Sequence, residues 1–424
     1  MIDANASTSP QKQRLKIVYA GRLIDGVSDN VRTNVSLIVE NGRISDVRSE
    51  KVALSDAEII DLSDSTVMPG FIDCHTHLSF QLDKGRTLKD IVLTRNSELA
   101  IQATVYARRT LLAGFTTVRD VGSANFIDVS LRDAINRGIV PGPRMFVATH
   151  ILTITGGHGD FSSGLRDELL AEPDYRRGII NSSEDAVRAV RYMIKYGADH
   201  IKMASTGGVL SLGDSQAGEQ LTLAEMKAIV QTAHTLGRKV AAHAHGTAGI
   251  KNALRAGVDS IEHGTFLDQE AIEMLKEHDA YLVPTISAGK WVESKLSDYP
   301  PAVAAKAEGL GTLIQKTFAN AYRQNVKIAF GTDAGVYPHG ENAREFQYMV
   351  EAGMSPMEAI KTATSNASEL LGVSSNLGTL QPGLYADLVA VAGDPLADIN
   401  LLSHISFVMK EGQIYKRDHR FTDL

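Results

Sequence analysis

Apolar and polar positions follow two different rhythms along this chain. Residues 15–66 carry short β-type runs: Leu15-Lys16-Ile17-Val18-Tyr19, Val35-Ser36-Leu37-Ile38-Val39 and Arg43-Ile44-Ser45-Asp46-Val47. Asn41-Gly42 between the last two is a hairpin signal. The far end has the same texture, in Gly383 to Val391 and Ile405 to Tyr415. The two ends, 15–66 and 376–424, are therefore expected to pair into one small β-sandwich domain. Between them, short apolar runs alternate with helical patterns such as Ser183 to Tyr196 and Thr222 to Leu236, the second opened by a Thr222/Glu225 capping box. Candidate strand ends fall at His75 to His77, Thr117 to Asp120, Met145 to Thr149, Ile201 to Met203, Val240 to His245, Ser260 to His263, Leu282 to Thr285 and Ala329 to Asp333. Eight strand–helix units in series predict an α/β fold, a (β/α)8 TIM-like barrel over 67–375. The polar stretch 1–14 is expected to be disordered. The long segment 153–181, rich in Gly, Ser, Asp and Arg, is expected to be a lid or substrate wall, and with 285–300 to set side-chain preference.

Composition narrows the class without naming it. A net charge of -7 argues against nucleic acid or an anionic membrane as partner. One cysteine, Cys74, excludes an internal disulfide framework and a cysteine-based zinc cluster, and its place between His75 and Asp73 marks it as packing. No run approaches the ~18 apolar residues of a membrane span, and the start lacks an apolar signal core. A cytoplasmic protein is expected, or an exported one had a signal peptide been removed ahead of this sequence.

The candidate chemistry sits where the strands end. His75 and His77 form an HxH pair at the end of an apolar run, and residues i and i+2 of a strand face the same way. Lys202, His243, His263 and Asp333 recur at other predicted strand ends. Barrel enzymes carry their chemistry on that rim. Imidazole and carboxylate together suit zinc and similar ions. Lys202 is the odd member: an ammonium would repel cations, whereas a carbamate formed with CO₂ would bring negative charge and two bridging oxygens. Asp333 is placed to bind a metal, take the proton of a water acidified by the metal and hand it to a leaving amine. His245 shares a face with His243 and is a candidate for oxyanion stabilisation. His158, in Thr155-Gly156-Gly157-His158-Gly159-Asp160, and His339 and Arg344, which follow Asp333, are candidates for substrate binding.

These motifs resemble the amidohydrolase superfamily over nearly the whole chain. Met68 to His77 is close to its first-strand motif, Gly114 to Asp120 to its second-strand region, and Gly378 to Asp387 to the return into its small β-domain. Within it, Thr155 to Asp160, Ile201 to Gly208 and Ala242 to Gly246 are similar to prolidase-like metal carboxypeptidases, a group with close relatives that hydrolyse ochratoxin A. The resemblance implies a TIM-like barrel and two divalent ions, zinc by ligand chemistry. His75, His77 and Asp333 would hold the more buried ion, His243 and His263 the second, with carboxylated Lys202 bridging them. It also implies hydrolysis of an amide that releases a C-terminal amino acid from an N-acyl amino acid or dipeptide, by a hydroxide bridging the ions. The expected partner is that small-molecule substrate, in a homo-oligomer, without nucleic acid or membrane. Two other readings stay open. One is a cyclic-amide hydrolase of dihydroorotase or imidazolonepropionase type, disfavoured by the Lys202 and Gly156 to Gly159 contexts. The other is a non-catalytic scaffold, disfavoured by the complete ligand set.

Overall fold

The computed structural model describes residues 15–82, 88–166, 168, 172–211, 215–417 and 420–421. The stretch 1–14, expected to be disordered, lies outside them, as does part of the 153–181 loop.

The ends of the chain meet in one sheet. Strands β1 (Lys16–Leu23), β2 (Arg32–Glu40), β3 (Arg43–Arg48) and β4 (Glu58–Pro69) come from the N-terminal side. The two-residue turn Asn41-Gly42 joins β2 to β3 with both residues at positive φ, as the hairpin signal required. After β4 the chain enters β5 (Phe71–Thr76), β6 (Phe115–Asp120), β7 (Arg144–Val147), β8 (Ile201–Ala204), β9 (Val240–Ala244), β10 (Ser260–His263) and β11 (Tyr281–Val283). It returns through β12 (Leu388–Ala392), β13 (Phe407–Lys410), β14 (Gln413–Arg417) and β15 (Arg420–Phe421). The order β15-β14-β13-β12-β4-β1-β2-β3 makes a single eight-stranded sheet in which β12 runs antiparallel to β4. Its apolar face gathers Val18, Leu37, Ile60, Val67, Leu388 and Phe407 into a core of its own.

The middle of the chain is built of parallel strands with helices between them. β5-β6-β7 form one parallel ladder and β8-β9-β10-β11 another. Isolated parallel bridges continue them: Leu152 with Met203, Leu282 with Ile328, and Thr76 with Ala334. Strands β5, β6, β8, β9 and β10 are buried at every position, which explains why they read as unbroken apolar runs rather than alternating ones. The helices between them turn one apolar stripe inward. In Ser183–Lys195 this stripe is Ala186, Ala189, Val190 and Met193, and the Ser182 side chain caps the first turn by accepting from Asp185 N–H. In Leu223–Thr235 the capping box of Thr222 and Glu225 is formed. Strands and helices share one large core that includes Met203, Ala242, Ile261, Ile229 and Phe346.

A buried ion pair joins the two parts. Arg144, at the start of β7, donates to Asp387 at 2.8 Å and to Thr117 Oγ1 at 2.8 Å, and also reaches Glu411. The Asp387 carboxylate in turn accepts from Glu411 N–H. The Ala386-Asp387 pair quoted above thus seats the returning strand on the parallel core. Among the described residues no helix is long and apolar enough to cross a membrane.

Candidate metal centre

Seven side chains converge from different parallel segments. β5 supplies His75, with His77 just beyond it. β8 supplies Lys202, β9 supplies His243 with His245 two residues on, and β10 ends at His263. Asp333 follows the bridged segment at Ile328 and precedes Ala334, which pairs with Thr76. Its N–H donates to His75 O at 2.8 Å, fixing it beside the HxH pair. His263 and Asp333 both sit at positive φ, 71° and 60°, a conformation that costs a non-glycine residue about 1–2 kcal/mol and turns their side chains sharply inward.

The side chains form two groups. Ligand atoms of His75, His77 and Asp333 all lie within 4.8 Å of one another, and so do those of His243, His245 and His263. His75 Nε2 and His77 Nε2 stand 3.5 and 3.3 Å from Asp333 Oδ1. The His75 and His263 rings, one from each group, are 4.9 Å apart. All line one cavity of about 740 Å³ measured to its open mouth, together with Lys202, Phe80, Ile151, His158, Phe161 and Thr285.

The second nitrogen of each imidazole is held from behind. His75 Nδ1 donates to Glu262 Oε2 at 2.7 Å and His77 Nδ1 to Gly122 O at 2.8 Å, while His263 Nδ1 shares a hydrogen bond with Thr285 Oγ1 at 2.7 Å. In His75 and His77 that pattern fixes the tautomer with an Nε2 lone pair facing the cavity, the form a metal needs. His243 differs: its Nε2 stands 3.2 Å from Gly207 O, so Nδ1 is its other nitrogen for a ligand. His245 Nδ1 meets Thr265 Oγ1 at 2.6 Å.

Electrostatics match the geometry. Burial works to neutralise Asp333, but His75 and His77 outweigh it and hold the carboxyl well below its usual range. Burial opposes charge on His77, yet Asp333 raises its pKa overall. Burial, then the neighbouring His158, pushes His245 down to about 3, so its ring is neutral. Lys202 is 2% exposed, its Nζ has no hydrogen-bond partner among the described residues, and burial lowers its pKa to about 8. An amine kept out of water and left without an acceptor fits a carbamate bridging two cations, and the surrounding imidazoles and carboxylate fit divalent ions.

The other candidates separate. His158 lines the cavity and stacks on His243 with ring centres 4.0 Å apart; a Cβ on Gly208 would stand 2.0 Å from His158 Nδ1, so only glycine leaves room for that stack. His339 is buried elsewhere, its Nε2 donating to Phe80 O at 2.9 Å and its ring on Tyr106. Arg344 opens the helix Arg344–Glu351, pairs with Glu341 at 2.8 Å and is about half exposed. Neither His339 nor Arg344 lines the cavity.

Sequence reasoning passed over the residues behind the ligands. Arg119 on β6 donates to Glu262 Oε1 at 2.7 Å, to Cys74 O at 2.6 Å and to Ser260 Oγ at 3.1 Å. It neutralises the carboxylate that orients His75. Despite burial, Arg119 and His75 hold Glu262 well below the usual range. Asp73 accepts from Thr332 Oγ1 at 2.6 Å, Asn342 Nδ2 at 2.8 Å and His75 N–H at 3.0 Å, tying the HxH strand to the turn that carries Asp333. The available signal in each case was a charged residue within a strand that is buried throughout.

Known proteins of the same shape fall in one group. The Amidohydrolase family matches residues 66–415. Ochratoxinase of Aspergillus niger is 32% identical over 433 residues, spanning 96% of this chain and 88% of that protein, and its crystal structure superposes with a TM-score of 0.84 at 31% identity over 95% of this chain and 96% of the other. A Xaa-Pro dipeptidase with methionine bound in its active site superposes with a TM-score of 0.91 at 42% identity, covering 95% of this chain and 100% of that one. A prolidase complexed with N-methylphosphonate-L-proline gives 0.88 at 32% identity, covering 95% and 100%.

Proposed function

The chain belongs to the amidohydrolase family and is a hydrolase of amide bonds; from that premise we propose that it releases a C-terminal amino acid from N-acyl amino acids or dipeptides, ochratoxin A among them, at a two-metal centre. The observation that carries the reading is the buried Lys202 amine, without a hydrogen-bond partner among the described residues, in the cavity lined by both ligand groups. In this reading His75, His77 and Asp333 would hold one ion and His243 and His263 the other, and Lys202 as a carbamate would supply negative charge to both. Zinc is the expected metal from the imidazole and carboxylate set. The two parallel ladders and the bridges at Leu152, Ile328 and Ala334 support a (β/α)8 barrel over 67–375, and the single sheet formed by both ends supports a separate small β-domain over 15–66 and 376–424, in place of the two sheets a sandwich needs.

Divalent ions bound here would polarise the scissile carbonyl and make a water more acidic. Asp333, whose Oδ1 stands beside the two histidines, takes the proton of the attacking water and passes it to the leaving nitrogen. His245 donates Nε2–H to the oxygen on which charge develops. For that, Nδ1 accepts from the Thr265 hydroxyl, which sets the required tautomer of a ring already neutral. His158, stacked on His243 at the cavity wall, faces the substrate carboxylate. Apolar residues Phe80, Val209, Leu210 and Val336 line the rest and exclude water from the reacting atoms.

The test is product release, read by chromatography, from the metal-loaded protein given Xaa-Pro dipeptides, N-acyl-phenylalanine, ochratoxin A and dihydroorotate. Phenylalanine or proline should appear. Turnover of dihydroorotate alone would overturn the peptidase reading and leave the metal centre standing.

A further inference from the structure

A second chamber, about 960 Å³ to its open mouth, lies behind one wall of the metal cavity. The two spaces share Ile151 and Phe161 in their linings. Near the ligands the wall is one side chain thick. The point where a Cβ on Gly122 would stand is 2.7 Å from Ile151 Cγ1 and 3.2 Å from His77 Cε1, so only glycine lets Ile151 and His77 approach this closely.

The chamber has an apolar floor of Ile91, Val92 and Ile179 and a polar rim. The Arg177 guanidinium on that rim has neither ion-pair nor hydrogen-bond partner among the described residues. His150, whose ring stands edge-on to Phe126 at 5.2 Å, is kept neutral: burial, and then Arg177, push its pKa down to about 4. Asp160, the carboxylate of this lining, is already engaged, accepting from Gly156 N–H at 2.8 Å and from Ser162 N–H and Oγ at 3.1 and 2.5 Å. Asn96 and Asn125 bond to each other at 2.9 Å. An exposed guanidinium that bonds to no side chain among the described residues, its field shared with Asp174, beside a neutral imidazole and apolar side chains suits a flat apolar group whose outer end carries an acidic oxygen.

We propose, on the basis of the hydrolase reading above, that this chamber receives the outer part of the substrate's acyl group, and that Arg177 pairs there with a carboxylate or phenolate. The released amino acid is short and its carboxylate is met by His158 inside the metal cavity. The acyl half has no such limit of length, and it is the half able to extend past Ile151 and Phe161. Arg177 is then a specificity determinant, remote from the reacting atoms.

The experiment compares N-benzoyl-, N-(4-carboxybenzoyl)-, N-(biphenyl-4-carbonyl)- and N-(4′-carboxybiphenyl-4-carbonyl)-L-phenylalanine with metal-loaded wild type, Arg177→Ala and Arg177→Lys. A charge-assisted hydrogen bond to the exposed Arg177 guanidinium should raise kcat/KM for at least one carboxylated acyl group by up to about tenfold over its plain counterpart. Arg177→Ala should erase that preference without changing turnover of the benzoyl substrate, and Arg177→Lys should keep part of it. Benzoyl turnover with the same carboxylate ratio in Arg177→Ala as in wild type, or with no preference in wild type, overturns the proposal and spares the hydrolase reading. Should none of the four be hydrolysed, and Xaa-Pro dipeptides and ochratoxin A also stay intact, the amino-acid-releasing reading has failed. Calorimetric titration with biphenyl-4,4′-dicarboxylate and biphenyl-4-carboxylate then decides the chamber: tighter dicarboxylate binding that Arg177→Ala abolishes supports it, and equal binding sinks it.

Discussion

At the scale of single residues, the centre is defined by what each polar group lacks or is given. Lys202 lacks a partner among the described residues, and under the bridging reading Lys202→Ala should abolish turnover and lower metal content to one ion per chain or none, as read by atomic absorption. Two ions with near-normal turnover would rule the bridge out. Asp333→Asn keeps the shape but loses the base; the far-ultraviolet circular dichroism should be unchanged while kcat falls by about 10²–10⁴. Retained turnover would assign the proton to another group. Arg119 is 2% exposed and neutralises Glu262. Arg119→Met should cost about 3–5 kcal/mol in urea unfolding, because it leaves a buried carboxylate uncompensated. It should also weaken metal retention against a chelator, since Glu262 orients His75. The ligand candidates were legible because imidazoles at strand ends are rare enough to stand out together. Arg119, Glu262 and Asp73 were not, because their partners lie on other strands: His75 and Glu262 are 187 positions apart in the chain.

At the scale of elements, most strands could be read because full burial writes them as apolar runs closed by a polar residue. β5, β6 and β8 to β10 end where the pattern stops. Ser183–Lys195 and Leu223–Thr235 were legible from their caps and stripes. The segment ending at Asp333 reads as a strand in sequence, yet it is held by isolated bridges and backbone bonds rather than a continuous ladder. Positive φ at Thr285 cannot be foreseen from a β-branched side chain, which ordinarily avoids it. The loop 207–211 shows how one element serves the site. Lys306, on the helix Pro301–Ala307, donates to Gly208 O and Ser211 O, each at 2.7 Å, and holds the loop against His158. Gly208→Ala should displace the His158 ring. If His158 meets the substrate carboxylate, KM should rise by about tenfold with kcat little changed, and an N-acyl amino acid amide lacking that carboxylate should feel no difference between variant and wild type.

At the scale of the whole molecule, one buried acid links fold stability to pH. Glu345 accepts from Ile286 N–H, Ser287 N–H and Ser287 Oγ at 2.8, 2.7 and 2.6 Å, and burial raises its pKa from 4.5 to about 8. The folded chain therefore keeps a proton that the unfolded chain loses above pH 4.5. The stabilisation is complete below that pH and is lost as pH rises toward 8. The slope it contributes is at most about 1.4 kcal/mol per pH unit. Glu345→Gln should flatten the pH dependence of the unfolding midpoint over that window; an unchanged slope would show that Glu345 is ionised in the folded protein.

The interleaving of the end sheet also sets a schedule for synthesis. β4 pairs on one side with β1, its near neighbour in sequence, and on the other with β12, which the ribosome makes roughly 320 residues later. At the ~5–20 residues per second of translation, that edge waits on the order of 15–60 seconds without its partner. An unpaired strand edge is a template for the wrong chain. The nascent protein is thus most exposed to mispairing while its catalytic half is already emerging, and crowding of polysomes, more than heat, is the condition under which its yield should suffer first.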